Sequence, residues 1–368
     1  MRIVAFVIGC LGAAVGCKHR PGRTELRPSV DSAAESVSAK RSPMHAAPMP
    51  KLESGYLPRG DATVRIAFFG DMGLGVEPER NLDMLVVLGV DLVVVLGDFD
   101  YTDSPDAWSK LMSRLGAIPW IAIAGNHDMP KFSEYSAVIA PVLLKHALRT
   151  GCVGEPGRLT SCGAHNVRIV LTESGTHGSP QRSEAFLERE LSRAKEAFLI
   201  CGWHKNQSDM QVGFKSDEVG YNSYQICQKY GALVVTGHEH SYARTRVLSE
   251  VGNTANYHGA TGTYDDLFLG PGRTAVIVSG LGGKGIRPYA ERFHDDDRWW
   301  AAYLTSNRSM RSGKSERQHL DQGYSGALVL DLGLPSQPDH GRGYFVLAQG
   351  MRIVDQFDVK RVARGSAE

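Results

Sequence analysis

Five apolar runs in this 368-residue chain end in the same way, with glycine followed by a side chain that can bind a metal. They are Gly70-Asp71, Gly97-Asp98, Gly125-Asn126, Gly202-Trp203-His204 and Gly237-His238-Glu239-His240. Tyr101 adds a phenol close to Asp98. Carboxylates, an amide oxygen, imidazoles and a phenol suit hard to borderline metals, not copper(I) or iron–sulfur clusters. Seven candidate ligands (Asp71, Asp98, Tyr101, Asn126, His204, His238 and His240) exceed what one tetrahedral zinc site with an open position needs. They suit two ions sharing a carboxylate, an arrangement that clamps a phosphoryl group and activates water.

The elements that must position them follow from the pattern. Val64–Phe69, Leu92–Leu96 and Trp120–Ala124 are predicted strands, as continuous apolar runs buried on both faces. Glu79–Leu88 and Pro105–Leu115 are predicted helices between them, the second capped by Asp103 or Ser104. Strands at Val167–Leu171, Phe198–Cys201 and Leu233–Val235 alternate with helices at Ser183–Ala197 and Tyr221–Tyr230. Thr274–Ser279, Leu328–Leu332, Tyr344–Leu347 and Val354–Val359 are the remaining predicted strands. Residues 257–273 and 289–322 are expected to be long loops that shape access to substrate. The alternation indicates an α/β fold, and in such sheets the site lies beyond the carboxyl ends of the strands.

Taken in order, Asp71-Met72-Gly73, Gly97-Asp98-Phe99-Asp100-Tyr101, Gly125-Asn126-His127-Asp128, His204 and Gly237-His238-Glu239-His240 resemble the five motifs of calcineurin-like metallophosphoesterases. Gly73, Tyr101 and the extension to Arg244 resemble the purple acid phosphatase branch. The resemblance implies a four-layer αββα sandwich with two packed sheets. It implies Asp71, Tyr101 and His240 on one metal, Asn126, His204 and His238 on the other, and Asp98 bridging both. Tyrosinate favours Fe³⁺ at the first site, with Fe²⁺, Zn²⁺ or Mn²⁺ at the second. His127 is expected to stabilise the phosphoryl group or protonate the leaving alkoxide, and Asp128 to orient its ring. The implied reaction is hydrolysis of a phosphorylated small molecule by metal-bound hydroxide. A monoester is the leading substrate. A phosphodiesterase or nucleotide pyrophosphatase, and a lipoprotein that binds phosphate without turnover, are the alternatives. Lys205-Asn206-Gln207 departs from the plant-type pattern after the histidine, and Lys205 or Asn206 is a candidate phosphate contact.

Other features have plainer readings. Ser279-Gly280-Leu281-Gly282-Gly283-Lys284-Gly285 lacks Walker spacing and is expected to be a tight turn near the site, from which Lys284 or Arg287 reaches toward phosphate. Asp100 and Asp103 are expected to be solvated. His294-Asp295-Asp296-Asp297 is expected to be a surface acidic run.

With 41 basic and 40 acidic side chains, the net charge of +1 gives no reason to expect nucleic acid as a partner. Arg2 followed by apolar Ile3–Val15 is too short to span a bilayer comfortably and reads as a secretory signal. Ala14-Val15-Gly16-Cys17 resembles a bacterial lipobox, which implies a lipid anchor on Cys17 and a periplasmic or cell-surface location. Cys10 is a rival cleavage point and an ordinary signal peptide the plain alternative. The expected organisation is a signal at 1–17, a Pro- and Ser-rich tether at 18–60, a catalytic domain at 61–360 and a tail at 361–368. After export, Cys152 and Cys162 are placed to staple their loop, while Cys201 is read as a buried free thiol or a partner of Cys227.

Overall fold

Along the strand Val64–Phe69, successive side chains enter different cores, as the two-residue period of a strand requires. Ile66 and Phe68 join an inner core with Leu171, Ile200, Val235 and Ile277. Ala67 and Phe69 join an outer one with Leu82, Leu85, Trp108 and Tyr135, which helices supply. The computed structural model, which describes residues 62–321 and 323–362, applies this rule to two sheets. Signal, Cys10, Cys17, tether and most of the expected tail lie outside the described residues.

Among the described residues the first sheet has seven strands. Val64–Phe69, Leu92–Leu96 and Trp120–Ile123 run parallel at one side. The antiparallel strands Gly326–Leu334, Gln337–Leu347 and Arg352–Arg361 continue it, and Asp266–Leu269 closes the far edge. The second sheet has ten strands around a parallel centre of Val167–Leu171, Phe198–Trp203, Leu233–Thr236 and Val276–Ser279. The inner core fills the space between the sheets. Helices Val76–Leu88, Pro105–Met112 and Phe132–Thr150 cover the first sheet. Pro180–Arg193 and Asn222–Tyr230 cover the second, through Phe186, Leu187, Leu191 and Tyr224. The result is a four-layer αββα sandwich.

One difference from the sequence reading has a simple cause. The expected loops at 257–273 and 289–322 contain strands: Asp266–Leu269, Trp300–Leu304 and the hairpin Arg308–Arg311 with Lys314–Arg317. That hairpin stands at an edge, where one neighbour is water and apolar alternation is not required. Of the two readings of Cys201 the structure has the pairing, with Cys201 bonded to Cys227, and Cys152 is bonded to Cys162 as expected. The first bridge ties the strand that leads to His204 to its covering helix. No helix among the described residues is long and apolar enough to cross a membrane.

Candidate dimetal site

All five glycine-ended runs finish on the same side of the sandwich, at the carboxyl ends of parallel strands from both sheets. Their tips interlock through the backbone: Asp71 N–H donates to Gly97 O (3.0 Å), Met72 N–H to Asp98 O (3.0 Å) and Gly237 N–H to His204 O (3.1 Å). Glycine is required where these turns meet. Gly97 has φ +86, and a Cβ there would stand 2.6 Å from Gly125 N and 2.7 Å from His204 Nδ1. A Cβ on Gly125 would stand 2.2 Å from Asp98 Oδ1.

One group of ligands centres on His204. Its Nε2 lies 3.2 Å from Asp98 Oδ1, 3.2 Å from Asn126 Oδ1 and 3.1 Å from His238 Nδ1. His204 Nδ1 is 2.7 Å from the carbonyl of Leu96, which only accepts, so Nδ1 carries the hydrogen. His238 Nε2 is 2.6 Å from Glu218 Oε2, so Nε2 donates there. In these tautomers the lone pairs of His204 Nε2 and His238 Nδ1 face each other beside two oxygen acceptors. A cation satisfies all four at once, and Asp98, His204 and His238 are buried with the spacing of metal ligands.

The second group is Asp71, Tyr101 and His240. The Tyr101 hydroxyl is 2.9 Å from Asp71 Oδ1 and 2.9 Å from His240 Nε2, and His240 Nε2 is 3.4 Å from Asp71 Oδ1. Asp71 Oδ2 accepts from the His238 amide at 2.7 Å, which links the groups. Asp98 faces both, acting on His204 and on Tyr101. The chemistry of each donor set therefore fits a bound metal ion.

The electrostatics also call for positive charge. Burial pushes His204 down, but the charge and hydrogen bond of Asp98, with the charge of Asp71 and the Leu96 carbonyl, together outweigh it and lift the ring to about 9. Burial likewise raises Asp98, yet His204 and the His127 amide hold it well below the usual carboxylate range. Burial, Asp71 and Asp98 together push the Tyr101 phenol far up, so ionising it there needs a neighbouring cation. Asp71 (φ 62), Asp98 (φ 53), Tyr101 (φ 61) and His238 (φ 67) all occupy the left-handed region. Each such residue costs about 1–3 kcal/mol, which the interlocked turns must offset.

His127 is exposed, its amide donating to Asp98 Oδ1 (2.9 Å) and its ring centroid 4.6 Å from that of Tyr101. Asp128 is placed differently from the sequence reading. Its buried carboxylate accepts from the amides of Asp98 (2.9 Å), Phe99 (2.8 Å) and Gly125 (2.7 Å). It clips two ligand-bearing turns together instead of orienting the His127 ring. Asp100 is buried, not solvated, and accepts from Tyr135, Thr102 and Ser104. Asn206 donates to Gly237 O at 2.7 Å and is buried, so it supports the His238 turn and does not face substrate. His294 and Asp297 pair at 2.7 Å, leaving Asp295 and Asp296 exposed.

Glu218 was not singled out from sequence. Burial pushes it up, but hydrogen bonds from His238 and Lys205 outweigh that and hold it at about 2. It sits in an irregular stretch with no motif. The available signal is that Asp209, Asp217 and Glu218 are the carboxylates between His204 and Tyr221.

The family model for calcineurin-like phosphoesterases matches residues 64–242, which contain every ligand above. Among solved structures, purple acid phosphatase PPD1 from yellow lupin (Lupinus luteus) aligns with a TM-score of 0.58 at 15% identity, over 83% of this chain. The chain spans 55% of the length of that lupin protein. The structure of PhoD aligns with a TM-score of 0.43 at 11% identity, over 84% of this chain and 73% of its own. By the match to residues 64–242, this chain carries a calcineurin-like phosphoesterase domain.

Proposed function

We propose that the chain hydrolyses phosphate monoesters with two bound cations, in the manner of purple acid phosphatases. The meeting of Tyr101 with Asp71 and His240, beside the set on His204, carries this reading. Asp71, Tyr101 and His240 would hold one ion, Fe³⁺ on the strength of the phenol. Asn126, His204 and His238 would hold Fe²⁺, Zn²⁺ or Mn²⁺, with Asp98 between the two. Bound there, the cations supply Lewis acidity toward phosphoryl oxygens and acidify water.

The chain's own groups do the rest. The fixed tautomers of His204 and His238 aim their lone pairs inward, held by Leu96 O and Glu218. His127, exposed at the mouth, delivers a proton to the leaving alkoxide. We further propose that the protein is anchored outside the cytoplasm through a lipid on Cys17. Labelling with a radioactive fatty acid that persists in Cys17→Ser would refute that anchor.

The deciding experiment compares a chromogenic phosphate monoester with its diester on the purified, metal-loaded protein. Faster monoester turnover that disappears on metal stripping supports the proposal. Faster diester turnover moves the function to phosphodiesters, and turnover of neither sinks the hydrolase reading.

A further inference from the structure

The glycine-rich run after Val276–Ser279 is a strap laid across the ligand-bearing turns. Gly280 N–H donates to Ser241 O (3.0 Å), Gly282 N–H to Gly70 O (2.8 Å), Lys284 N–H to Asp71 O (3.0 Å) and Arg287 N–H to His240 O (2.8 Å). Its glycines permit this contact: a Cβ on Gly280 would stand 2.1 Å from Glu239 O, and one on Gly282 2.4 Å from Gly70 O. The strap is thus fixed to both halves of the Asp71–His240 ligand group.

It carries two cations with different surroundings. Arg287 faces the buried carboxylate of Glu239, 3.7 Å away. Lys284 is exposed, and its Nζ stands 4.5 Å from the ring centroid of Tyr101. Its stem passes over Gly73, where a Cβ would be 3.6 Å from Lys284 Cδ. Two further cations stand near the ligand histidines: Lys205 is paired with Glu218, and Lys215, whose charge acts on His238, lies among Arg287, Glu239 and Glu218. The Lys284 ammonium is therefore held in direction by an aromatic face, while its hydrogens remain available to an incoming acceptor.

We propose that Lys284 is a specificity-determining residue that binds a non-bridging phosphoryl oxygen and favours dianionic monoesters over monoanionic diesters. The inference rests on the phosphatase reading of the site and names what sets its substrate class. A phosphomonoester carries a charge of about −1.5 to −2 at pH 7, whereas a diester keeps one negative charge. A cation aimed at the phosphoryl oxygens discriminates between them by that difference.

The test uses the full chain, metal-loaded, as wild type, Lys284→Met and Lys284→Arg. Inorganic phosphate binding is measured by calorimetry, kcat and KM are measured for a chromogenic monoester and diester, and metal content is measured directly. Lys284→Met is expected to weaken phosphate binding and raise the monoester KM by about tenfold each, with the diester KM within about twofold and both metals retained. Lys284→Arg should recover most of the phosphate affinity. Unchanged phosphate binding in the Met variant, equal losses for both esters, or loss of metal would each overturn the proposal. If wild type hydrolyses neither ester, the phosphatase reading fails, and phosphate calorimetry still judges Lys284 on its own.

Discussion

Glu218 accepts a hydrogen bond from His238 at 2.6 Å, and this contact decides which nitrogen of His238 faces His204. A carboxylate behind a ligand imidazole fixes both tautomer and ring orientation. Glu218→Ala removes the hold without touching a ligand. It should weaken the ion shared by Asn126, His204 and His238 by about 10–100-fold. Competitive titration with a chelator, followed by metal analysis, measures this. Undiminished affinity would mean that packing alone orients the ring.

Ligand and acid are separable. Asp98→Asn should lose metal and activity together, because Asp98 acts on both ligand groups. His127→Ala should keep both metals and lose about 10²–10⁴-fold in kcat. A His127→Ala protein that arrives without metal would put His127 among the ligands.

Asp128 predicts a loss of stability. In Asp128→Ala the buried amides of Asp98, Phe99 and Gly125 lose their acceptor. At about 1–3 kcal/mol per unsatisfied group, the variant should lose at least ~3 kcal/mol in urea unfolding. His127→Ala, whose side chain is exposed, should lie within about 0.5 kcal/mol of wild type. Equal unfolding midpoints for the two variants would contradict the role of a clip.

His258 predicts a pH dependence. It is buried, its Nδ1 accepts from the Gly252 amide at 3.1 Å, and Trp299 packs edge-on at 4.6 Å. Burial lowers its pKa, only partly opposed by Asp209. Between that lowered value and the ordinary value near 6.5, the unfolded chain binds more protons than the folded one. Stability from this group is therefore complete above about pH 6.5 and falls as pH drops through the window below it. From pH 7 to 5 the melting temperature of wild type should decline relative to that of His258→Gln. An identical slope in the variant would assign the decline to other groups.

Sequence patterns disclosed the site more fully than its supports. The ligands stand directly after apolar runs, and a buried parallel strand ending in glycine and a polar residue is a local signal. The central strands were legible for the same reason. Glu218 and the Asp128 clip were not, because each depends on a contact made across the fold. Asp100 reads as a loop charge until Tyr135 arrives from a helix 35 residues later. The Arg308–Arg317 hairpin reads as loop because an edge strand can be charged. Its turn nevertheless carries Ser312 (φ 47) and Gly313 (φ 74), the left-handed pair of a tight hairpin.

The pairing of Val64–Phe69 with Gly326–Leu334 sets an order of events. Val64 lies opposite Leu332 and Phe68 opposite Leu328, so the first strand of the fold gains its second neighbour only when the end of the chain is made. Until then the strand that leads to Asp71 has one bare edge, with unpaired amides and an apolar face on each side. A ribosome stalled after residue 320 would release a chain that holds every ligand in sequence yet carries an open template for pairing with its own copies. Such fragments should aggregate, and no added metal should rescue them, because what they lack is a neighbouring strand.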